Sequence, residues 1–302
     1  MDFLVTLLNG VSLGGVYAMI ALGYTMVYGI AKLLNFAHGD IIMVGGYTIY
    51  LFVFSAMPEF LAASTWAVLM PILAILCAVL VCVALGVTVE RVAYRPLRGA
   101  SPLAVLITAI GVSYLLQSLA LVLFGADSKM VVVFDLGAWT IGDVRIKVST
   151  VITLVASVLV MLALTLFVKY SKTGRAMVAV SEDRDAARLM GININGIITV
   201  TFAIGSALAA LAGLFSLLDV PSISPSFGAM PGIKAFTAAV IGGIGSIPGA
   251  MLGGILIGIV ECVCNSVPEL APYTIAIEFA ILIVILLVKP TGILGKKRRE
   301  KV

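Results

Sequence analysis

The run "NFAHGD" sets Asn35, His38 and Asp40 close together in otherwise apolar sequence, and His38 is the chain's one histidine. These polar side chains interrupt the first apolar region, where a lone histidine is most often a hydrogen-bonding residue of the structure. Lys234 is a second group of this kind, lying between the breaker-rich run "VPSISPSFGAMPG" and the short apolar piece "AFTAAVIGGIGS". Glu261, Glu278 and Gln117 are further polar side chains inside long apolar stretches. A charge at the bilayer centre costs on the order of 2.5–3.5 kcal/mol on insertion scales, so each needs a reason to be there. The glutamates are expected to face partner helices, and Gln117 to hydrogen-bond between helices. For "NFAHG" the structural reading is a histidine that satisfies its neighbours. The functional reading is a break between half-helices that exposes backbone groups to a water-filled pathway. On that reading Asn35, His38 and Lys234 are candidate pathway residues.

Other chemistries find no support in the residues. No Gly-x-x-x-x-Gly-Lys-Ser/Thr loop is present, so ATP hydrolysis is not expected of this chain. No nucleophile–base pair or metal cluster stands out, and Cys77, Cys82, Cys262 and Cys264 have the spacing of neither a zinc site nor a redox pair. They are expected to be buried structural thiols. No cofactor is expected.

The elements that must position these groups are membrane helices. The chain is 62% hydrophobic and 11% charged, with a mean hydropathy of +1.20, against about 25% charged residues in soluble domains. A spanning helix needs about 20 apolar residues, and the period-2 alternation of a membrane barrel is absent. The expected fold is all-α, a single polytopic bundle over 1–302 with about eight or nine spans and broken or re-entrant half-helices. The spans read as 3–30, 40–57, 66–88, 102–124, 150–168, 197–218, 233–247, 249–267 and 273–288. Segment 233–247 is short for a crossing, and a re-entrant half-helix competes with a full span there. The N-terminus has no basic region and is kept as a span, not a cleaved signal.

Loop charge orients the set. Arg91, Arg95 and Arg98, then Lys169, Lys172, Arg175, Arg184 and Arg188, then Lys289, Lys296, Lys297, Arg298, Arg299 and Lys301 fall in segments on one side. The other side has Lys129, Arg145 and Lys147, balanced by Asp127, Asp135 and Asp143. The positive-inside rule makes the first side, and the C-terminus, cytoplasmic. A net charge of +4 gathered at membrane edges is no nucleic-acid signature. The external loop 125–149 has strand-like pieces, "KMVVVFDL" and "VRIKV".

Within the cytosolic loop 169–196, the stretch "GRAMVAVSEDRDAARLMGININ" is heavily charged. Ser181 reads as an N-cap with Glu182, Asp183 and Asp185 in the first turn, and Gly191 as the left-handed residue past the end. The expected helix is Glu182 to Met190, with Ala186, Ala187, Leu189 and Met190 on one apolar side. So short a helix is marginal alone and needs something to pack on.

This segment resembles the coupling segment of ABC-importer permeases, an acidic residue followed by two alanines and then a glycine, here Asp185, Ala186, Ala187 and Gly191. The stretches "ALGYTMVYGIAKLLNFAHGD", "ERVAYRPLRGASPLAVLITAIG", "KAFTAAVIGGIGSIPGAMLGG" and "LLVKPTGILG" resemble the LivH-type permeases of branched-chain amino-acid importers, from end to end of the chain. The resemblance implies an ABC-importer permease fold in a bacterial inner (plasma) membrane. It implies a LivM-type second permease, two ATP-binding subunits that use ATP and Mg, and a periplasmic binding protein delivering leucine, isoleucine or valine. It also gives Glu182, Asp183, Asp185, Ala186, Ala187, Leu189 and Gly191 an ATPase-coupling role. The competing reading is an ion-coupled secondary transporter or channel for small polar solutes. Such a protein would place carboxylates along an ion path, and here Asp40, Glu261 and Glu278 are scattered in sequence.

Overall fold

The computed structural model describes residues 2–33, 35–55, 66–134, 137–141 and 144–295. In chain order the helices are α1 (Asp2–Ala31), α2 (His38–Ser55), α3 (Trp66–Val89), α4 (Pro102–Phe124), α5 (Val148–Tyr170), α6 (Lys172–Glu182), α7 (Arg184–Leu189), α8 (Ile194–Asp219), α9 (Ala229–Gly242), α10 (Ile247–Ser266) and α11 (Thr274–Val288). A π-helical turn, Glu90–Tyr94, prolongs α3. Four short strands, β1 (Lys129–Met130), β2 (Ala138–Ile141), β3 (Val144–Lys147) and β4 (Ser222–Ile223), make two antiparallel pairs, β1 with β4 and β2 with β3. The expected all-α bundle is what forms, with strand confined to loops at one end.

Among the described residues, seven helices are long and apolar enough to cross a membrane, and two shorter apolar helices, α2 and α9, accompany them. Helices α4, α8 and α10 start at side-chain caps, and Asn193 caps α8. Ser101 and Ser246 accept the N–H of Ala104 and Gly249 at 3.3 and 3.2 Å, with prolines in the first turns of α4 and α10.

Hydrogen bonds and ion pairs define two ends of the bundle. At one end β1 pairs with β4, Lys147 lies 3.6 Å from Asp219, and Thr6 contacts Ser266 at 3.2 Å. At the other, Arg184 reaches the carbonyl of Ile30, Arg98 reaches Asn195, and Ile293 N–H donates to Ile241 at 2.8 Å. The described basic residues of the 89–101 and 169–196 segments gather at this second end, the grouping that the charge argument requires. Asp135, Asp143, the lysines and arginines of 296–301 and segment 56–65 lie outside the described residues.

The two short helices belong to one internal pattern. Helix α1 lies on α8 and α9 as α8 lies on α1 and α2, while α2 packs on α3 as α9 packs on α10. The sets α1–α3 and α8–α10 run in opposite senses, which is an inverted repeat. Small residues permit the closest pairing, of α1 on α10, where Gly10 and Gly14 meet the backbones of Gly258, Ile259, Gly254 and Ile255.

Candidate functional site

Helix α1 stops because Lys32 takes a left-handed conformation, φ 56°, with its N–H on the Tyr28 carbonyl at 2.9 Å. The chain then turns back, and His38, the first residue of α2, packs edge-on against the Tyr24 ring with centroids 4.7 Å apart. Tyr24 lies about two helical turns before the end of α1, so α2 starts roughly 10 Å inside the bundle. Helix α9 starts beside it. A side chain at Gly228 would run into the Gly39 carbonyl, and one at Gly232 would lie 3.1 Å from Gly39 Cα. Glycine at 39 and 228 is therefore what lets the two half-helices begin back to back.

Segment 220–243 accordingly crosses the bundle, with an irregular first part and a helix only in the second. Its 14 residues span roughly 21 Å, short of the ~30 Å hydrocarbon core. The sequence offered a re-entrant half-helix and a full crossing as alternatives. The structure combines them, because the prolines and serines of 221–226 cannot continue a helix.

At the first break Asn35, His38, Asp40 and Tyr94 are buried. Tyr94 OH donates to Asn35 Oδ1 at 2.9 Å, and Gln117 Nε2 donates to Asp40 Oδ1 at 2.9 Å. Gln117 thus joins α4 to α2, the interhelical role expected of it. His38 is 1% exposed and hydrogen-bonds the backbone of Ile20, while its Nε2 faces Gly23 without a partner. Beside the break, Tyr24, Tyr28, Leu33, Phe236, Ala239 and Ile244 line an apolar cleft between the ends of α1 and α9.

Lys234 sits apart from Asn35 and His38, on the face of α9 toward α10, α11 and α1. Its ammonium is 2.7 Å from Glu261 Oε1 and 3.3 Å from Glu278 Oε1, and Tyr17 OH donates to Glu261 Oε2 at 2.7 Å. Both glutamates face neighbouring helices, as expected for carboxylates kept from lipid.

At the basic end, the helix boundaries differ from the sequence reading. Ser181 is no N-cap: α6 runs through it to Glu182, with its own cap at Ser171, which accepts the Gly174 N–H at 2.8 Å. Asp183 caps α7, its Oδ1 accepting the N–H groups of Asp185 and Ala186 at 3.0 Å each. A carboxylate with two N–H partners outcompetes a serine hydroxyl, which here bonds back to the Val178 carbonyl. The other end is as expected. Gly191 is left-handed, φ 79°, and Ile192 and Gly191 donate to Ala187 and Arg188, each at 3.0 Å, a Schellman closure.

The expected single apolar side of α7 also splits. Ala187 is 4% exposed and packs inward on this chain, whereas Leu189 and Met190 are 89% and 82% exposed and Ala186 is exposed with them. Successive helical residues are about 100° apart, so Ala186, Leu189 and Met190, at i, i+3 and i+4, share one side and Ala187 turns away from it. Around it, Arg184 donates to the carbonyls of Ile30 and Ala31, and burial together with the nearby Arg98 guanidinium pushes its pKa down. Buried Glu90 pairs with Arg98 and accepts from Thr199 at 2.8 Å. Sequence alone gives Arg184 and Arg98 only a topological role and does not single out Tyr17, Glu90 or Tyr94. The available signal was Glu90, a carboxylate directly after an apolar span and followed by arginines.

Backbone interrupted inside a membrane bundle is tolerated only where it is covered by protein or lines a cavity, and opposed half-helices in inverted repeats are how solute permeases are built. The molecule is an integral membrane permease. It belongs to the family described as branched-chain amino acid transport system / permease component, whose profile matches residues 6–286. It is 43% identical to the high-affinity branched-chain amino acid transport system permease protein LivH of Salmonella typhimurium, over 99% of this chain and 98% of that one. It is 44% identical, at the same coverage, to the corresponding permease protein BraD of Pseudomonas aeruginosa. A shorter match, 34% identical over 34% of this chain, is to the fructose import permease protein FrcC of Rhizobium meliloti.

Proposed function

We propose that this chain is one permease half of an ATP-binding-cassette importer that carries leucine, isoleucine or valine across the bacterial inner membrane, with its basic end in the cytoplasm. The observation that carries the ATP-driven part is α7. Six residues do not hold a helix in water, yet this one is capped at both ends and fixed to the bundle by Ala187 and Arg184. It presents Leu189, Met190 and Ala186 outward. Burying side chains of the leucine and methionine kind is worth about 1.5–3 kcal/mol each, which suits a groove on an ATPase subunit.

On this reading Asp183, Ala187 and Gly191 shape the coupling helix, Glu182 and Asp185 border its contact surface, and Leu189 is its central contact. ATP and Mg are bound by two partner ATPase subunits. A LivM-type permease completes the membrane part, and a periplasmic amino-acid-binding protein docks at the end that carries β1–β4. An apolar amino acid asks little of its passage beyond apolar walls, and Tyr24, Leu33 and Phe236 beside the break supply such walls. The partial likeness to a fructose permease fits a scaffold whose solute choice lies largely with the binding protein.

The test is affinity purification of the tagged chain from native membrane. The reading expects a second permease and ATPase subunits to be recovered with it. A solitary oligomer whose transport follows an ion gradient would favour a secondary transporter instead.

A further inference from the structure

We propose that Arg184 is a positioning residue through which α7 sets the place of the turn 32–37, and with it the pathway at Asn35 and His38. The inference rests on the ATP-driven reading and adds the route by which movement of the docking helix reaches the break. The Arg184 guanidinium donates to Ile30 at 3.1 Å and to Ala31. Those carbonyls belong to the last turn of α1, where the helix leaves acceptors unsatisfied and its dipole is negative. A cation there holds the point at which the chain leaves α1.

A second tie reaches the same turn from beyond the other end of α7. Asn195 and Thr199, at the start of α8, hold Arg98 and Glu90. Glu90 opens the π-turn whose last residue, Tyr94, donates to Asn35 at 2.9 Å. Lys32, Leu33, Asn35, Phe36 and Ala37 lie outside any helix, so these side-chain ties hold them together with the backbone hydrogen bonds of Lys32 to Tyr28 and of His38 to Asn35. Arg184 therefore holds the residues just before this turn, and the start of α8, which follows α7, reaches Asn35 through Glu90 and Tyr94. Spatial linkage alone does not establish coupling, so the test must read motion as well as activity.

The complete importer is reconstituted in proteoliposomes with Phe36→Cys as a reporter, in a chain whose free cysteines Cys77, Cys82, Cys262 and Cys264 are replaced by alanine. Leucine moved per ATP hydrolysed, and the maleimide labelling rate with and without ATP and vanadate, are measured for the parent, Arg184→Gln and Arg184→Lys. In the parent, ATP should change the labelling rate. In Arg184→Gln the ATPase subunits should stay bound and hydrolyse ATP, labelling should no longer follow ATP, and leucine per ATP should fall about tenfold, an ordinary coupling magnitude. Arg184→Lys, which keeps a cation at the carbonyls, should recover part of both. Arg184→Gln with parental stoichiometry and ATP-dependent labelling would overturn the proposal. If Arg184→Gln does not assemble, Arg184→Met, measured in the same way, decides: lowered stoichiometry with ATPase bound supports the role, and parental behaviour overturns it. A parent that brings no ATPase subunit fails the importer reading itself, a separate result.

Discussion

The Lys234 ammonium lies 2.7 Å from the Glu261 carboxylate, and Glu278 approaches the same nitrogen to 3.3 Å, so one cation from α9 serves carboxylates of α10 and α11. Breaking a buried pair by removing one partner typically costs about 3–5 kcal/mol, because the remaining charge is left uncompensated, while replacing all members by neutral groups is often tolerated. Lys234→Met should therefore lower the melting temperature of the purified protein sharply. Lys234→Met combined with Glu261→Gln and Glu278→Gln should regain most of it. Parental stability of the single variant would show that the charges are not buried together. Uptake by the triple variant then separates two roles: normal uptake leaves Lys234 as the anchor of α9, and lost uptake in a stable protein puts it in the pathway.

The contact of Gly39 with Gly228 gives a second expectation. A methyl group at 228 would meet the carbonyl of Gly39, which is backbone and has no rotamer by which to escape. Overpacking of this sort costs about 1–3 kcal/mol and would push the starts of α2 and α9 apart. Gly228→Ala should reduce uptake strongly, whereas Gly99→Ala, which meets nothing within 4 Å, should be neutral. Equal uptake by the two variants would refute the close approach.

The split of α7 makes the docking surface testable residue by residue. Leu189→Asp and Met190→Asp should insert normally and lose the ATPase subunits on purification, since an unpaired charge in an apolar groove costs several kcal/mol. Ala187→Asp should instead lower the stability of the permease alone, because that side chain faces inward. If the Leu189→Asp and Met190→Asp variants keep their ATPase subunits, α7 is not the coupling helix.

Sidedness follows from the charges. Reporter fusions at Arg95 and Lys172 should both report cytosol and one at Lys129 the outside, because the first two lie at the end that collects the basic loops. Disagreement between positions 95 and 172 would mean that the number of crossings between them is odd.

The long helices were legible because a run of apolar residues in lipid has one way to satisfy its backbone. The reading of 102–124 coincides with α4, and most other spans differ by up to three residues at their described ends. Segment 233–247 departs further, because α9 runs Ala229–Gly242 and the helix is broken before α10 starts at Ile247. Positions 56–57 lie outside the described residues. The break at "NFAHG" was legible from polar residues in the wrong solvent. Three things were not. The start of α7 depended on whether Ser181 or Asp183 would win the cap, a competition settled by geometry. The inward turn of Ala187 depended on where α6 and α8 lie, which a helical wheel does not contain. The grouping of Lys234 with Glu261, Glu278 and Tyr17 joins four helices, and sequence shows only that each charge needs some partner.

The most direct measurement of the central claim is leucine uptake into proteoliposomes that hold the purified complex, with binding protein outside, ATP and Mg inside and no ion gradient. Uptake should require internal ATP, persist with ionophores that collapse proton and sodium gradients, and vanish with Leu189→Asp. Uptake that proceeds without ATP and follows an imposed ion gradient would contradict the account.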